Sequence, residues 1–355
     1  GDLKMSEINR RAFLRILAAV LGSAGSTYLL GCSDPQKLSE KSVPSAKIGT
    51  LTPSPTTSQK VQGSHQASRT PTSESIVTST PSPIPAYPDL AVARNGDPEE
   101  LVRKAVSALG GMEKFVSEGD LVVIKPNICV AYHTYEYAAT TNPFVVGALV
   151  KMALESGARK VKVMDFPFGG TAEQAYQVSG IAAQVNKAGG KMVAMSGLKF
   201  VPTTIPGGRD LKQCKIYQDV LDADVLINVP IAKHHELARL TLGMKNLMGV
   251  IYNRPLMHGN LGQRLADLNS FVRSDLVVVD AVRMLMNHGP SGGNLNDVRK
   301  ADTVIASADI VAADSYAAGL FGLKPEKISY IKAGAEMGLG RKELEQIKIE
   351  EINLG

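Results

Sequence analysis

From Asp89 onward the chain alternates short apolar runs with longer amphipathic segments, and this alternation narrows the fold more than any other feature. A strand with one face in water alternates apolar and polar residues. A strand apolar at nearly every position has both faces covered. "DLVVIKPN" (Asp120–Asn127), "DVLINVP" (Asp224–Pro230) and "SDLVVVDA" (Ser274–Ala281) are of the second kind, and "KVKVMDF" (Lys160–Phe166), "KMVAMS", "DTVIAS" and "QIKIEEI" supply further strands. Between them the periodicity predicts helices over Thr141–Ala158, opened by Thr/Asn and Pro, over Thr171–Ala188, from about Leu237 to Val250, over Gln263–Arg273 and over Asp309–Phe321. The expected class is α/β: a mainly parallel sheet with helices on both faces, in a single large domain with a small inserted lobe around Gly197–Lys215.

Ligands of a parallel sheet bind in the crevice beyond the carboxyl ends of its strands. Here those ends are polar: Lys125-Pro126-Asn127, Asp165, Asn228 running into Lys233-His234-His235, and Asp280. One such ending is an ordinary turn; four at one edge point to a shared site. Lys233 and His234 are expected on the loop leaving the Asp224–Pro230 strand, and Lys245 and Asn246 on a helix that is otherwise apolar. Burying an ammonium alone is costly, so Lys245 is expected to reach solvent or to meet an acid or an anionic ligand. Gly243 and Gly249 let that helix approach another backbone. Two glycine-rich turns fall in the same zone: "FPFGGT" (Phe166–Thr171), with Gly169 and Gly170, and "HGPSGGN" (His288–Asn294). Their amides suit an anion, although plain turns need no ligand. Neither matches GxGxxG or GxxxxGK[ST], which disfavours a dinucleotide or Walker phosphate site.

The roles follow from residue chemistry. Lys125, Lys233 and Lys245 would hold an anionic small molecule or cofactor, with Asn127, Asn228 and Asn246 orienting it and Gly169 and Gly170 at its rim. His234 with Asp165 or Asp280 would be the proton-transfer pair of an enzyme. A metal held by Asp165, His234, Asp280 and His258 is chemically reasonable, though no HxH or HxxxH spacing supports it. Two alternatives stand beside the enzyme: a non-catalytic lipoprotein that binds a ligand or partner, and an electron-transfer accessory that needs a separate redox partner. No CxxC spacing exists to hold an iron–sulfur cluster or structural zinc, and no particular cofactor is indicated.

"VVIKPN", "TTNP", "GARKVKVMD", "LINVPIAKHH", "TLGMKNLMG", "LADLNSFVRSDLVVVDA" and "GPSGG", in this order, resemble the uncharacterised domain-of-unknown-function family 362 over essentially all of residues 88–355. The resemblance implies an α/β domain with a cleft; it brings no established reaction and no assigned catalytic residues. Members of that family often carry a ferredoxin-like extension with cysteine ligands, and a chain without that cysteine pattern is expected to lack it.

Residues 1–32 and 33–87 have different compositions from the rest. From Met5 the chain reads "MSEINRRAFLRILAAVLGSAGSTYLLGC": a basic start, an apolar and small-residue stretch, and a cysteine after "LLG". The stretch is shorter than the ~20 apolar residues that span a bilayer and contains Gly and Ser, so it reads as an export signal. Arg10 and Arg11 resemble a twin-arginine signal, and "LLGC" resembles a lipobox in which Cys32 becomes the acylated first residue. The expected destination is the extracytoplasmic side, with the membrane held through lipidated Cys32. Residues 33–87, rich in Ser, Thr and Pro, read as a disordered tether. Leader and tether carry most of the formal charge of +5. Residues 88–355 are nearly neutral, which gives no support for nucleic-acid binding. Cys32→Ala should move the protein from the membrane to soluble exported fractions, and replacing Arg10 and Arg11 with lysine should stop export. A double-lysine protein exported at the normal level would refute the twin-arginine reading.

Overall fold

The computed structural model describes residues 87–355; the leader, Cys32 and the tether up to residue 86 lie outside the described residues. The described chain opens with strand β1 (Leu90–Arg94) and helix α1 (Pro98–Ala108), followed by β2 (Leu121–Pro126), α2 (Pro143–Glu155), β3 (Lys160–Val163), α3 (Ala172–Val178), α4 (Ile181–Lys187) and β4 (Lys191–Met192). A hairpin of β5 (Phe200–Thr204) and β6 (Gln213–Tyr217) then leads through α5 (Gln218–Leu221) to β7 (Val225–Val229), β8 (Ile231–His235) and β9 (Arg239–Thr241). The remainder is α6 (Gly243–Asn246), α7 (Leu261–Phe271), β10 (Leu276–Leu285), β11 (Val298–Ser307), α8 (Ile310–Gly319), α9 (Ser329–Glu336) and β12 (Ile349–Asn353).

Ten strands form one sheet in the order β12-β1-β11-β10-β7-β2-β3-β4, with β8 beside β10 and β9 beside β8. Only β11 and β9 run against the other strands of this sheet. The sheet is therefore mostly parallel, and the carboxyl ends of β2, β3 and β7 share an edge. The apolar runs separate residue by residue into two cores. Val123, Leu226, Val277 and Val279 pack on one face with α7, α8 and α9. Their neighbours Val122, Ile124, Ile227, Leu276 and Val278 pack on the other with α1, α2 and α4. Because successive strand residues point to opposite faces, two covered faces require a continuous run.

Several expected elements take other forms. The helix expected over Thr171–Ala188 breaks at Gly180, whose φ of +76° ends α3 before α4 begins. The first part of the helix expected from Leu237 to Val250 is instead the end of a hairpin, because His235 pairs with Arg239 and Lys233 with Thr241. Leu237 and Arg239 are exposed while Ala238 and Leu240 are buried, a strand period that a helical reading of the apolar content overlooks. From Gly243 the expected helix does form, as α6 followed directly by a 3₁₀ helix over Leu247–Val250. β1, α1 and α9 were not assigned from the sequence. The stretch expected as an inserted lobe contains β5 and β6, which pair with each other outside the main sheet. Cys129 and Cys214 are both free.

The β5–β6 turn is held by one carboxylate. Asp267 of α7, fully buried, accepts from the backbone N–H groups of Arg209, Asp210 and Leu211 at 2.8, 2.8 and 2.7 Å. Three donors on a charged acceptor make this the main polar tie of the hairpin. Asp267→Ala should lower stability by about 2–4 kcal/mol, since the buried amides lose their acceptor. Proteolysis of the turn at residues 205–212 should rise in parallel, and an unchanged melting temperature and digestion rate would refute the tie.

Candidate functional site

β2 and β3 lie side by side, pairing Ile124 with Val163, so the first polar residues beyond that pairing come together at the sheet edge. Lys125 Nζ sits 2.7 Å from Asp165 Oδ1, with side-chain exposures of 1% and 5%. Lys125 also donates to Pro126 O and to Asn246 Oδ1, each at 2.9 Å. Its three ammonium hydrogens are thereby committed to the fold. Asp165 accepts in addition from the N–H groups of Ile128 at 2.6 Å and Phe166 at 2.8 Å. Burial pushes the Lys125 pKa down, and the Asp165 carboxylate opposes that shift.

Asn246 on α6 extends this knot. Its Oδ1 accepts from Lys125 and Asn127, while its Nδ2 donates to Lys125 O and Asn228 Oδ1; Asn228 in turn donates to Gly243 O. The three asparagines expected to orient a ligand therefore tie β2 and β7 to α6. Asn127 alone keeps a spare group, a buried Oδ1 without a hydrogen-bond partner. α6 is further pinned at its start, where Gly243 N and Met244 N donate to buried Asp314 at 2.6 and 2.9 Å.

The second and third lysines differ. Lys233, buried on β8 and not on a loop, donates to Ala139 O at 2.7 Å and Pro290 O at 2.8 Å, with the Cys129 thiol beside it. Lys245 is also buried, and its one recorded contact is a weak one to Met248 Sδ at 3.6 Å. No carboxylate pairs with it among the described residues. Burial, and then the charges of Lys233 and Lys125, lower its pKa to about 8. Of the three expected outcomes, exposure to solvent and an acidic partner are not found among the described residues, which leaves an anionic ligand.

Lys125, Asn127, Asp165, Lys233, Lys245 and Asn246 all line one cavity of about 470 Å³, together with Cys129, His235, Arg254 and His258. Phe166 and Phe168 of "FPFGGT" and Pro290 of "HGPSGGN" form part of its wall. Gly169 and Gly170 do not line it; they pack against Val130, Tyr132 and Ala131. His234 is also off the wall, its Nδ1 accepting from Gly289 N at 3.2 Å. Asp280 is buried away from the cavity and accepts from Asn142 N and Val282 N, so it braces α2 against β10. Burial raises its pKa to about 6. The pairing of His234 with Asp165 or Asp280 is thus not assembled at the cavity. The metal set also disperses, with Asp165 and His258 on the wall and His234 and Asp280 off it; no group of three His, Cys, Asp or Glu suited to a metal occurs among the described residues.

Two wall residues, Arg254 and Cys129, carried no sequence signal, and a third, His235, was named at its strand end but given no role. Arg254 reaches the cavity by donating to Phe166 O at 2.6 Å from a 3₁₀ segment. Cys129 follows β2 by three residues, and burial raises its thiol pKa. His235 takes the place expected for His234, since adjacent strand residues face opposite sides. Burial, then Lys245 and Lys233, lower its pKa to about 3, so its ring is neutral at physiological pH.

With this geometry, residues 122–319 match the family described as Domain of unknown function (DUF362). The chain belongs to that family. This DUF362 chain is also 26% identical over 253 residues to a thylakoid-associated protein of Synechocystis sp., spanning 67% of this chain and 74% of that one. Among solved structures it is similar to the lactate racemase apoprotein from Thermoanaerobacterium thermosaccharolyticum, with TM-score 0.43, 12% identity, and coverage of 65% of this chain and 56% of that one. A Thermotoga maritima protein gives TM-score 0.39 and 14% identity, covering 64% of this chain and 60% of that one. The DUF362 chain therefore spans less than two thirds of either solved chain.

Gly249 marks the tightest point of the site. A Cβ there would overlap Asp165 Oδ1 and lie 2.6 Å from Lys125 Nζ. Gly249→Ala should cost about 1–3 kcal/mol through this crowding. Gly207→Ala, where nothing lies within 4 Å, should leave the melting temperature unchanged. Equal melting curves for the two variants would contradict the crowding.

Proposed function

We propose that this domain binds a small anionic molecule, a carboxylate or phosphate, in the cavity at the carboxyl edge of its sheet, with Lys245 as the counter-charge. The observation that carries the reading is the inequality of the three lysines. Lys125 is neutralised by Asp165 and Lys233 is satisfied by carbonyls, whereas Lys245 is buried with, among the described residues, nothing but a thioether against its ammonium. A buried charge without a partner costs several kcal/mol, and an anion removes that cost. Arg254 adds positive charge to the same wall, and the spare Asn127 Oδ1 offers one acceptor to a ligand hydroxyl or amine. The groups at the cavity suited to proton transfer are His258 and Glu236, in place of His234 and Asp280.

The thylakoid association of the Synechocystis relative supports a membrane-associated setting. No helix among the described residues is long and apolar enough to cross a membrane. Acylated Cys32, reached through the twin-arginine route, is our proposed attachment.

Lys245→Met tests the reading because its two effects have opposite signs. The folded-state pKa of Lys245 is lowered from 10.5 to about 8, so the unfolded chain binds the extra proton over that interval. The native state is accordingly penalised in full below pH 8, by roughly 3 kcal/mol, and the penalty fades as pH rises to 10.5. The methionine variant should melt higher than the native protein at pH 7, with a gap that closes toward pH 10.5. Its affinity for inorganic phosphate or oxalate, measured by calorimetry, should fall by roughly tenfold or more, or about 1.4 kcal/mol. If the native protein binds neither anion, or the variant binds equally well, the proposal fails.

A further inference from the structure

We infer that Lys245 acts as a nucleophilic amine, so that the molecule taken up by the cavity is an anionic carbonyl compound such as a 2-oxo acid, which Lys245 captures as an imine. This rests on the anion-binding reading above and specifies the ligand's second functional group. A lysine kept as a permanent counter-charge is usually given a carboxylate or several carbonyls, as Lys125 and Lys233 are here. Lys245 has neither among the described residues, and the charges that act on it most are of its own sign: Lys233, Lys125 and Arg254. Desolvation and neighbouring cations are the conditions that favour a neutral, nucleophilic lysine amine.

The surroundings suit the chemistry that a free amine performs. α6 is fixed by Asp314 at Gly243 and Met244, by Asn269 at Met244 O, and by the asparagine relay at Asn246, so the backbone under Lys245 is rigid. Phe166, Phe168, Leu237 and Met248 give the cavity an apolar wall that disfavours protonation of the amine. Arg254 remains on the same wall to hold the ligand's anionic group. In the capture step the Nζ lone pair bonds to the carbonyl carbon while the C=O π pair moves to oxygen. Oxygen gains a proton and nitrogen loses one, leaving a carbinolamine. The hydroxyl then leaves as water, taking the second proton from nitrogen, and a C=N bond remains. No oxidant or reductant is consumed. The intermediate carbinolamine carries an O–H donor, and the buried, unpartnered Oδ1 of Asn127 on the same cavity is an acceptor without another use. His235 presents a neutral ring to the cavity: its Nδ1 accepts from Ala238 N at 3.3 Å, which leaves the ring hydrogen on Nε2 as a hydrogen-bond donor.

The full chain, incubated near pH 7 with glyoxylate and sodium cyanoborohydride, should become alkylated at Lys245, since the hydride converts the C=N bond to a stable secondary amine. Peptide mapping should find labelling at Lys245 above that at exposed Lys300 and Lys332 by roughly tenfold or more, and inorganic phosphate in excess should suppress it. Calorimetry with inorganic phosphate alone runs in parallel. Phosphate binding with no preferential label at Lys245 would overturn the imine while leaving the anion site standing. Absence of both binding and label would remove both proposals.

Discussion

The Lys125–Asp165 contact, 2.7 Å long and almost without exposure, sets conditions that the surrounding chain must meet. An ion pair taken out of water recovers its desolvation cost only when its remaining hydrogen-bonding positions are filled. The chain fills them with Asn246, Pro126 O and the amides of Ile128 and Phe166. Each filler fixes another element: Asn246 holds α6 at the ends of β2 and β7, and the two amides shape the turns leaving β2 and β3. Gly249 follows from the same requirement, since any larger residue would enter the space occupied by the two charges.

Against this background the site is what the fold leaves uncompensated. Fold and site draw on the same residue types at the same sheet edge, and only the count of partners separates them. Lys125, Asn228 and Asn246 were expected at a ligand and are mostly consumed in holding strands to a helix. Lys245 and the Oδ1 of Asn127 are the groups left over. Sequence type alone cannot make that distinction, because a saturated lysine and an unsaturated one are the same letter.

The sheet was legible because the continuous runs at 121–125, 225–229 and 276–280 demand two covered faces, and the structure supplies two cores divided at alternate residues. The convergence of strand ends was legible for Lys125 and Asp165, which extend adjacent parallel strands. It misled at Asp280, where β10 continues to Leu285 and the carboxylate turns to the amides of Asn142 and Val282. The β8–β9 hairpin was hidden by apolar content that fits a helix or a strand, and its turn rests on Arg239 at φ +64°, a conformation with no marker in an arginine. Arg254 and Cys129 reach the cavity through backbone paths set by other elements, so no local pattern announces them.

The placement of β1 bears on when the domain can exist. β1 is the first strand of the described chain, yet it lies between β11 and β12, pairing Leu90 with Ser307 on one side and with Ile349 on the other. Both partners are translated more than two hundred residues later, so during synthesis β1 emerges with neither edge able to pair. A nascent chain can bring β2, β3 and β7 together early, but that end of the sheet closes only after β12 has left the ribosome. Closure of this edge is therefore tied to the synthesis of β12, and a chain halted between β11 and β12 would hold β1 paired along one side only.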